Sequence, residues 1–398
     1  MIAVLSRAFG IRRLDLIEDM VQAAMLQAMN SWKQKGVPEN PAGWIHRVAR
    51  NRILDHLRRE KTHQRALAFA GQSLDESESL VEQWLEHDQI PDSLLRMMFV
   101  CCHPSLNRRS QIALTLKILC GFSVDEIARG LLLKTETVRK AIQRAKQQLA
   151  KQKLKVEVPD ESELQDRLQT VHEVLYLMYN EGYSTSQGLD PIRVDLCEEA
   201  ARLCHLLCEH SVSNSTTYAI LALMLFHAAR LPARMDEDGA VVLLDDQDRS
   251  KWDQGLIQIA RQWLARSGRG ELSQYHLQAA IAMQHCRAKS VESTNWPVIV
   301  QLYEKLGRMN NSPIYVLNMA IARAQSGDIK TAFKDLANIS EHPDMADYYL
   351  LDCARARFHE MQGDNNSAID CYLVALHREN LAPHERALLK KKIALLAK

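Results

Sequence analysis

Residues Glu39 to Lys61 read ENPAGWIHRVARNRILDHLRREK, and this stretch predicts a helix with two different sides. Asn40 can cap the helix, and Pro41 suits its first position because no backbone N–H is needed there. With 100° per residue, five apolar side chains share one face: Ile45, Val48, Ala49, Ile53 and Leu57. We therefore expect an amphipathic helix packed on a core.

The opposite side of this helix has the residue types of a nucleic-acid surface. Trp44, Arg47, Asn51 and Arg58 fall within roughly 80° of one another on the helical wheel. A large aromatic ring beside guanidinium groups offers a base a stacking surface and a phosphate a partner. An exposed basic helix with one anchoring tryptophan explains the same pattern, so the other parts of the chain must decide.

Length and composition indicate a globular protein of two or three domains. The chain has 398 residues, 46% hydrophobic and 25% charged. Its net charge is only +1, so nucleic-acid binding must depend on the local distribution of charge. No run of about 18 apolar residues and no clear signal peptide occur, so we expect a cytoplasmic protein without a membrane segment.

The nine cysteines are unevenly spaced, which favours reduced thiols in a chain without a secretion signal. In Cys197, Cys204 and Cys208 the spacing is i, i+7, i+11 amid Leu and Ala, as in the core stripe of a helix. We therefore favour core packing over zinc and expect no metal or cofactor. The groups considered as zinc sites are Cys101-Cys102-His103 and Cys197, Cys204, His205 and Cys208.

Helical periodicity dominates the chain, and alternating strand patterns are nearly absent, which predicts an all-α fold. The helix predicted over Leu14 to Trp32 has Glu18, Asp19 and Gln22 near its start. Acids in a first turn are explained by their favourable interaction with the helix dipole. The alternative interpretation is a surface patch that docks on a partner. An acidic stretch follows the first unit, from Gly71 to Asp88, and is interpreted as a linker.

A second unit has the helix start and turn signals of a helix-turn-helix. Ser123 and Glu126 form a predicted capping box, Gly130 to Lys134 a turn, and Thr135 can cap a longer helix. That helix has an apolar stripe of Val138, Ile142, Ala145 and Leu149, with Arg139, Lys140, Gln143, Arg144 and Lys146 opposite. Lys134 to Lys155 contains eight basic residues and one acid, about +7, which favours phosphate binding.

These motifs, in this order, resemble regions 2 and 4 of a bacterial extracytoplasmic-function sigma factor. The matching stretches are LIEDMVQAAMLQAMNSW, ENPAGWIHRVARNRILDHLRRE and ALTLKILCGFSVDEIARGLLLKTETVRKAIQRAKQQL, within about the first 155 residues. The resemblance implies binding to core RNA polymerase, through the β′ clamp helices and the β subunit, and to promoter DNA. The chain begins almost directly in the first helix of region 2, so we expect either a short helix or a start site that lies upstream of Met1.

The resemblance also assigns residues to three surfaces. Glu18, Asp19 and Gln22 would dock on the β′ clamp helices. Trp44, Arg47, Asn51, Asp55 and Arg58 would open and read the −10 element, with the loop 33–40 near a flipped base. Thr137, Arg139, Lys140, Gln143 and Arg144 would read the −35 element.

About 240 residues remain, and they resemble the tetratricopeptide-like helical extension of one sigma-factor subgroup. The matching stretches are LYLMYNEGYSTS, LALMLFHAARLPAR, LLDDQDRSKWD and LNMAIARAQSGD. Independently of the resemblance, Gly327-Asp328 with Ala332 recurs as Gly363-Asp364 with Ala368, an offset of 36 residues. Such helix pairs stack into a solenoid that usually binds protein segments, so a protein partner is a hypothesis for this part.

The extension has one strongly polar cluster, from residue 227 to residue 253. His227 and Arg230 lie one helical turn apart, and we interpret them as pairing with downstream aspartates to brace two helices. A binding or regulatory surface and a catalytic site are the alternatives. The cluster comprises His227, Arg230, Arg234, Asp245, Asp246, Gln247, Asp248, Arg249, Trp252 and Asp253.

The predicted protein is a sigma factor, not an enzyme, that directs RNA polymerase to promoters and has a regulatory or supporting extension. The predicted parts are region 2 at 1–65, an acidic linker at 66–90, region 4 at 91–155 and the extension at 160–398. The alternative is a helix-turn-helix regulator that acts without polymerase and senses a ligand through its helical domain. A second, base-stacking helix speaks against that alternative.

Overall fold

The computed structural model describes residues 1–9, 13–67, 93–151, 161–185, 191–237, 240–378, 381 and 383–397. Within these ranges the regular secondary structure is helical, and the β-type pairing is an isolated bridge between Met235 and Val241. The predicted all-α fold is confirmed. The predicted acidic stretch falls in 68–92, outside the described residues. The chain divides into two compact units, Met1–Val174 (unit 1) and Leu175–Lys398 (unit 2).

Unit 1 contains seven described helices and the first half of an eighth. They are α1 (Ile2–Phe9), α2 (Leu14–Lys35), α3 (Pro41–Leu67), α4 (Ser93–Cys101), α5 (Arg108–Ile118), α6 (Val124–Gly130), α7 (Thr135–Lys151) and α8 (Glu161–Tyr183).

Helices α1 to α3 form one bundle, in whose core an apolar stripe of α2 meets the predicted stripe of α3. Ile17, Val21 and Ala24 of α2 are buried against Ala49 and Ile53 of α3. Each stripe repeats every three or four residues, so the two helices can bury one face each along their length. The polar face of α3 lies opposite this core and is exposed.

Helix α4 lies at the centre of the second half of unit 1. All six residues from Leu95 to Val100 are buried, which requires neighbours on every side of the helix. Among these neighbours are α1 and α5. Helices α5, α6 and α7 then form a three-helix group, with α7 packed on both α5 and α6.

The first half of α8 is built into this group by buried polar contacts. Arg167 is 5% exposed and donates to the Phe99 carbonyl at 3.0 Å. Arg108 of α5 forms a two-bond ion pair with Glu173, at 2.8 and 2.6 Å. Residues up to at least Glu173 therefore belong structurally with the helix-turn-helix.

Unit 2 contains the rest of α8 and ten further described helices, joined in places by single 3-10 turns. They are α9 (Val194–Glu209), α10 (Ser215–Ala228), α11 (Gln254–Arg266), α12 (Gln274–Arg287), α13 (Trp296–Met309), α14 (Pro313–Gln325), α15 (Ile329–Ile339), α16 (Tyr349–Met361), α17 (Asn365–Leu376) and α18 (Pro383–Leu396).

Successive helices of unit 2 pack mainly on their neighbours in sequence. Leu317 and Leu336 of α14 and α15 share a core with Phe358 of α16. Tyr372 of α17 then shares the next core with Leu389 of α18. The cores therefore follow one another along the chain.

The 36-residue offset seen in the sequence corresponds to two turns with the same local geometry. Gly327 and Gly363 have φ values of +96° and +78°, a region that glycine enters without strain. Asp328 then caps α15 by accepting from Thr331 N at 3.1 Å, and Asp364 caps α17 by accepting from Ser367 N at 3.1 Å. The two hairpins α14–α15 and α16–α17 are thus closed in the same way.

Candidate nucleic-acid interface

Helix α3 begins and packs as its sequence predicts. Asn40 accepts a hydrogen bond from Gly43 N at 2.8 Å, and Pro41 is the first helical residue. Ala49 and Ile53 are completely buried. This burial fixes the rotation of α3 and turns the opposite side of the helix outward.

The outward side of α3 presents most of the predicted −10 residues together. Arg47, Asn51 and Asp55 are exposed, and Trp44 is half-buried with its ring edge-on to Trp32 at 5.6 Å between centroids. The tryptophan pair holds an aromatic surface in place next to the polar side chains. The side chain of Arg58 lies outside the part of the structure that is described.

The predicted docking patch on α2 is occupied in part by α7. Asp19 and Gln22 are exposed, but Glu18 binds the ammonium of Lys146. The same ammonium donates to Asp15 Oδ1 at 2.7 Å. Burial lowers the pKa of Lys146, but its hydrogen bonds to the two carboxylates outweigh burial and raise that pKa. Lys146 is therefore a charged side chain held on the acidic patch.

An apolar ridge continues the docking patch, and sequence reasoning missed it. Met25, Leu26 and Met29 are 47%, 62% and 62% exposed. With 100° per residue they fall within about 80° of Glu18 on α2. Their spacing was a signal in the sequence, because they form a second apolar stripe beside the one that faces the core. A large exposed apolar stripe usually marks a binding surface.

The helix-turn-helix contains the predicted capping box, whereas Thr135, predicted to cap the second helix, is its first residue and bonds to the first helix instead. Ser123 Oγ accepts from Glu126 N at 3.1 Å, and Glu126 accepts in return from Ser123 N. Thr135 Oγ1 donates to Asp125 Oδ1 at 2.8 Å, which joins the beginnings of α6 and α7. In the turn between them, Leu132 has a φ of +53°, unusual for a residue with a branched side chain.

The predicted −35 residues lie on the exposed part of α7. Thr137, Arg139, Lys140, Gln143 and Arg144 are all exposed, and the predicted stripe opposite them is buried. Arg139 forms an ion pair with Glu136 at 2.8 Å, and Lys140 lies 3.7 Å from the same carboxylate. Because these groups are exposed, exchanging Glu136 for a phosphate costs little.

A cleft of about 250 Å³ adjoins this exposed surface, between α5 and α7. Its basic lining combines Lys140 and Arg144 with Arg109 of α5, a residue that was not among the predicted DNA contacts. Nothing in the spacing around α7 could have indicated Arg109, because it reaches the cleft through packing of a different helix.

The cysteine groups considered as zinc sites are buried in cores. Cys101 and Cys102 are almost fully buried, and burial raises the pKa of the Cys102 thiol to about 12. Cys197, Cys204 and Cys208 form the predicted core stripe of α9. In the described ranges no group of three or more His, Cys, Asp or Glu side chains could hold a metal ion.

The predicted pairing of His227 and Arg230 with downstream aspartates is wrong. Within the described part of unit 2, these aspartates instead cap short helical segments or bond to side chains of other helices. Asp245 accepts from Gln325 at 3.0 Å and lies 3.7 Å from Arg357, and Asp246 lies 3.6 Å from Lys392. Asp248 and Asp253 act as helix caps, accepting from Ser250 N and Leu256 N.

No helix of the described residues combines the length and apolar character needed to cross a membrane.

Comparison with known proteins finds three family matches along the chain. Residues 3–63 match Sigma-70 region 2, residues 96–149 match Sigma-70, region 4, and residues 167–268 match DUF6596, a family of unknown function. The chain is 38% identical over 316 residues to "Uncharacterized protein R00370" of Rhizobium meliloti (strain 1021). That alignment covers 78% of this chain and 74% of the relative.

No solved structure matches the chain. Its two Sigma-70 regions bear the exposed polar faces of α3 and α7, and the third match begins inside α8. The chain therefore belongs to the family of this Rhizobium meliloti protein. In this chain, Sigma-70 regions 2 and 4 followed by a DUF6596 domain support an ECF-like sigma factor with a role in transcription initiation.

Proposed function

We propose that this chain is an extracytoplasmic-function sigma factor that binds core RNA polymerase in the cytoplasm, directs it to promoters and opens the −10 region. The observation that carries the proposal is the pairing of two exposed nucleic-acid faces, on α3 and α7, with an acidic and apolar docking ridge on α2. A sigma factor needs all three surfaces, whereas a simple repressor needs one.

The surfaces divide the work between affinity and sequence choice. Glu18, Asp19 and Gln22, together with the adjoining apolar ridge, dock on the β′ clamp helices, and the chain also contacts the β subunit. Arginine and lysine side chains supply affinity for phosphates that depends on salt, and base contacts supply specificity. The −10 set is Trp44, Arg47, Asn51, Asp55 and Arg58; the −35 set is Thr137, Arg139, Lys140, Gln143 and Arg144.

The contact between Lys146 and Glu18 makes unit 1 a closed form that must open for this function. The −10 and −35 elements lie about 25 positions apart by their names, roughly 85 Å along B-form DNA. Region 2 and region 4 cannot reach both elements while α7 is bonded to α2. Core polymerase therefore has to replace Lys146 on the acidic patch, which makes the closed form a source of inhibition.

The helical extension is proposed to be tetratricopeptide-like and to regulate or support the sigma regions, with a protein segment as its candidate partner. The 36-residue hairpin repeat and the nearest-neighbour cores support this interpretation. A truncation that tests the extension should end near Val174. An end at Lys155 would also remove Arg167 and Glu173, which are bonded to α4 and α5.

The test is reconstitution with bacterial core RNA polymerase, followed by copurification and run-off transcription. We expect a stable holoenzyme that starts at discrete promoters and that is lost in the double variant Glu18→Lys, Asp19→Lys. Asp370→Lys, at an exposed acid of α17, is the matched control and should leave the complex intact. A chain that ignores polymerase but binds duplex DNA through Arg139 and Arg144 would instead be a stand-alone regulator.

A further inference from the structure

Three arginines of unit 2 lie close together, and the part of the chain that the structure describes offers them no carboxylate partner. Arg230 and Arg249 are 7% and 9% exposed, and Arg234 is half-buried. Among the described residues, no carboxylate forms a hydrogen bond or ion pair with any of the three. Guanidinium groups keep their charge inside proteins, and buried charges are normally paired.

Aromatic rings, and not acids, hold these arginines. The guanidinium carbons of Arg230 and Arg249 lie 5.5 and 5.0 Å from the centre of the same ring, that of the buried Trp252. Arg234 lies 3.9 Å from the ring centre of Tyr183. Cation–π contacts offset only part of the cost of burying a cation, and two like charges on one indole repel each other.

Five hydrogen-bond donors of this cluster have no partner in the described structure. They are Arg230 Nε, Arg234 Nε, Arg249 Nη2, Trp252 Nε1 and the Tyr183 hydroxyl. Buried donors of this kind are normally satisfied, so each of the five lacks an acceptor that its burial leads one to expect. The second terminal nitrogen of the Arg249 guanidinium, Nη1, donates to the carbonyls of His285 and Ala288, at 3.1 and 3.0 Å. These bonds fix the side chain of Arg249.

The neighbouring histidines add no negative charge to balance the three guanidinium groups. Burial, and next the charge of Arg230, lowers the pKa of His227 and of His285 to about 3, so both rings are neutral at pH 7. Asp245 and Glu292 influence Arg249 only through space. The cluster therefore keeps a positive charge in a largely buried place.

We infer that Arg230, Arg234 and Arg249, with Trp252 and Tyr183, form a binding site for the oxyanion group of a small molecule, a phosphate or a carboxylate. Such a group accepts several hydrogen bonds at once and neutralises neighbouring guanidinium groups. Tyr183 and Arg234 are half-buried, so they mark the side from which the anion enters. The site lies within residues 167–268, the domain of unknown function, and does not depend on polymerase binding.

The experiment is thermal unfolding and isothermal titration of the full chain with sodium phosphate, sodium acetate or sodium succinate. Sodium chloride at the same ionic strength is the reference. We expect at least one oxyanion to raise the unfolding midpoint by about 3 °C or more at saturation. A response to phosphate alone indicates a phosphorylated ligand, and a response to the carboxylates indicates an organic acid.

Arg230→Met should weaken anion binding at least tenfold, because it removes the most buried of the three charges. Arg261→Met, at an exposed arginine of α11, is the matched control and should keep the response. Arg234→Met tests the same site from its half-buried side and decides the matter if Arg230→Met does not fold. The inference is overturned if no oxyanion acts beyond chloride, or if both cluster variants bind the anion as tightly as the unaltered chain does.

Discussion

The Lys146 ammonium on α7 binds the Glu18 carboxylate on α2, across 128 residues of sequence. One side chain of α7, the helix proposed to read DNA, thus lies on the surface that is proposed to dock on polymerase. The Lys146 side chain is 20% exposed and that of Glu18 13%, so solvent screens this ion pair less than most surface pairs. Docking and the closed form therefore compete for one carboxylate.

Replacing Lys146 by alanine should tighten binding to core polymerase. The variant loses the contact that holds the closed form, while the docking residues stay intact. We expect a gain of about 1 kcal/mol, or roughly fivefold in Kd, measured by fluorescence anisotropy with labelled protein. The gain should shrink at high salt, because added ions already weaken the pair in the unaltered chain.

Lys134→Ala is the control for this change, since Lys134 is an exposed lysine in the turn that precedes α7. Carbodiimide crosslinking gives a second readout, because it joins an amine and a carboxylate that touch. A peptide linking Lys146 to Glu18 or Asp15 should form in the free chain and vanish with polymerase. Unchanged affinity together with no crosslink would contradict the closed form and leave the sigma assignment intact.

Arg144→Ala should weaken binding to duplex promoter DNA. Arg144 is exposed on α7 and lines the basic cleft with Arg109. Loss of a base contact costs about 1–3 kcal/mol and relaxes specificity, whereas loss of a phosphate contact lowers the salt slope by about one. Gel-shift titrations of holoenzyme at several salt concentrations separate the two roles; Arg261→Met, in α11, should change neither quantity.

Two glycines of unit 2 should respond to alanine with opposite signs. Gly363 has a φ of +78°, so Gly363→Ala places a side chain in a left-handed conformation and should cost about 1 kcal/mol of unfolding free energy. Gly307 lies inside α13 with open space around its Cα, so Gly307→Ala should stabilise by about 0.5–1 kcal/mol. Urea unfolding of the full chain measures both, and equal signs would exclude this interpretation of the turn.

Mild acid should destabilise unit 2 through its buried histidines. The pKa of His227 and of His285 is about 3 in the folded protein and about 6.5 in an unfolded chain. The unfolded chain therefore binds more protons, and the stability that is complete above about pH 6.5 is lost as the pH falls toward 3. We expect a loss of about 3 kcal/mol between pH 6.5 and pH 5.

His285→Gln should remove about half of this loss, because one of the two titrating rings is gone. His205→Gln is the control, since His205 is exposed on α9. Calorimetry at several pH values provides the measurement. A pH dependence identical in the two variants would show that the buried rings are not its source.

Local features of the fold were predictable from sequence because short-range rules decide them. The capping box at Ser123, the buried stripe of α7 and the core cysteines of α9 all follow from spacing within one helix. The repeated turns after α14 and α16 follow from glycine and aspartate at fixed offsets. The exposed faces of α3 and α7 were predictable for the same reason, since a buried stripe leaves the opposite side outward.

Partners across the fold were not predictable in this way. Arg230 lies over Trp252, and the aspartates that the sequence offered to it contact α14, α16 and α18 instead. The sequence shows Lys146 as one of eight basic residues in 134–155, and only the packing of α7 on α2 shows its bond to Glu18. Such choices depend on which helices meet, and no single-helix pattern contains that information.

The matching turns at Gly327 and Gly363 also bear on how such a chain can change length. Each 36-residue hairpin has its own helix-ending glycine, its own aspartate cap and its own apolar face. Each shares cores chiefly with its neighbours. An in-frame duplication of residues 327–362 would therefore add one further hairpin that obeys the rules already in place. Gene duplication offers this domain a simple evolutionary route to a longer array.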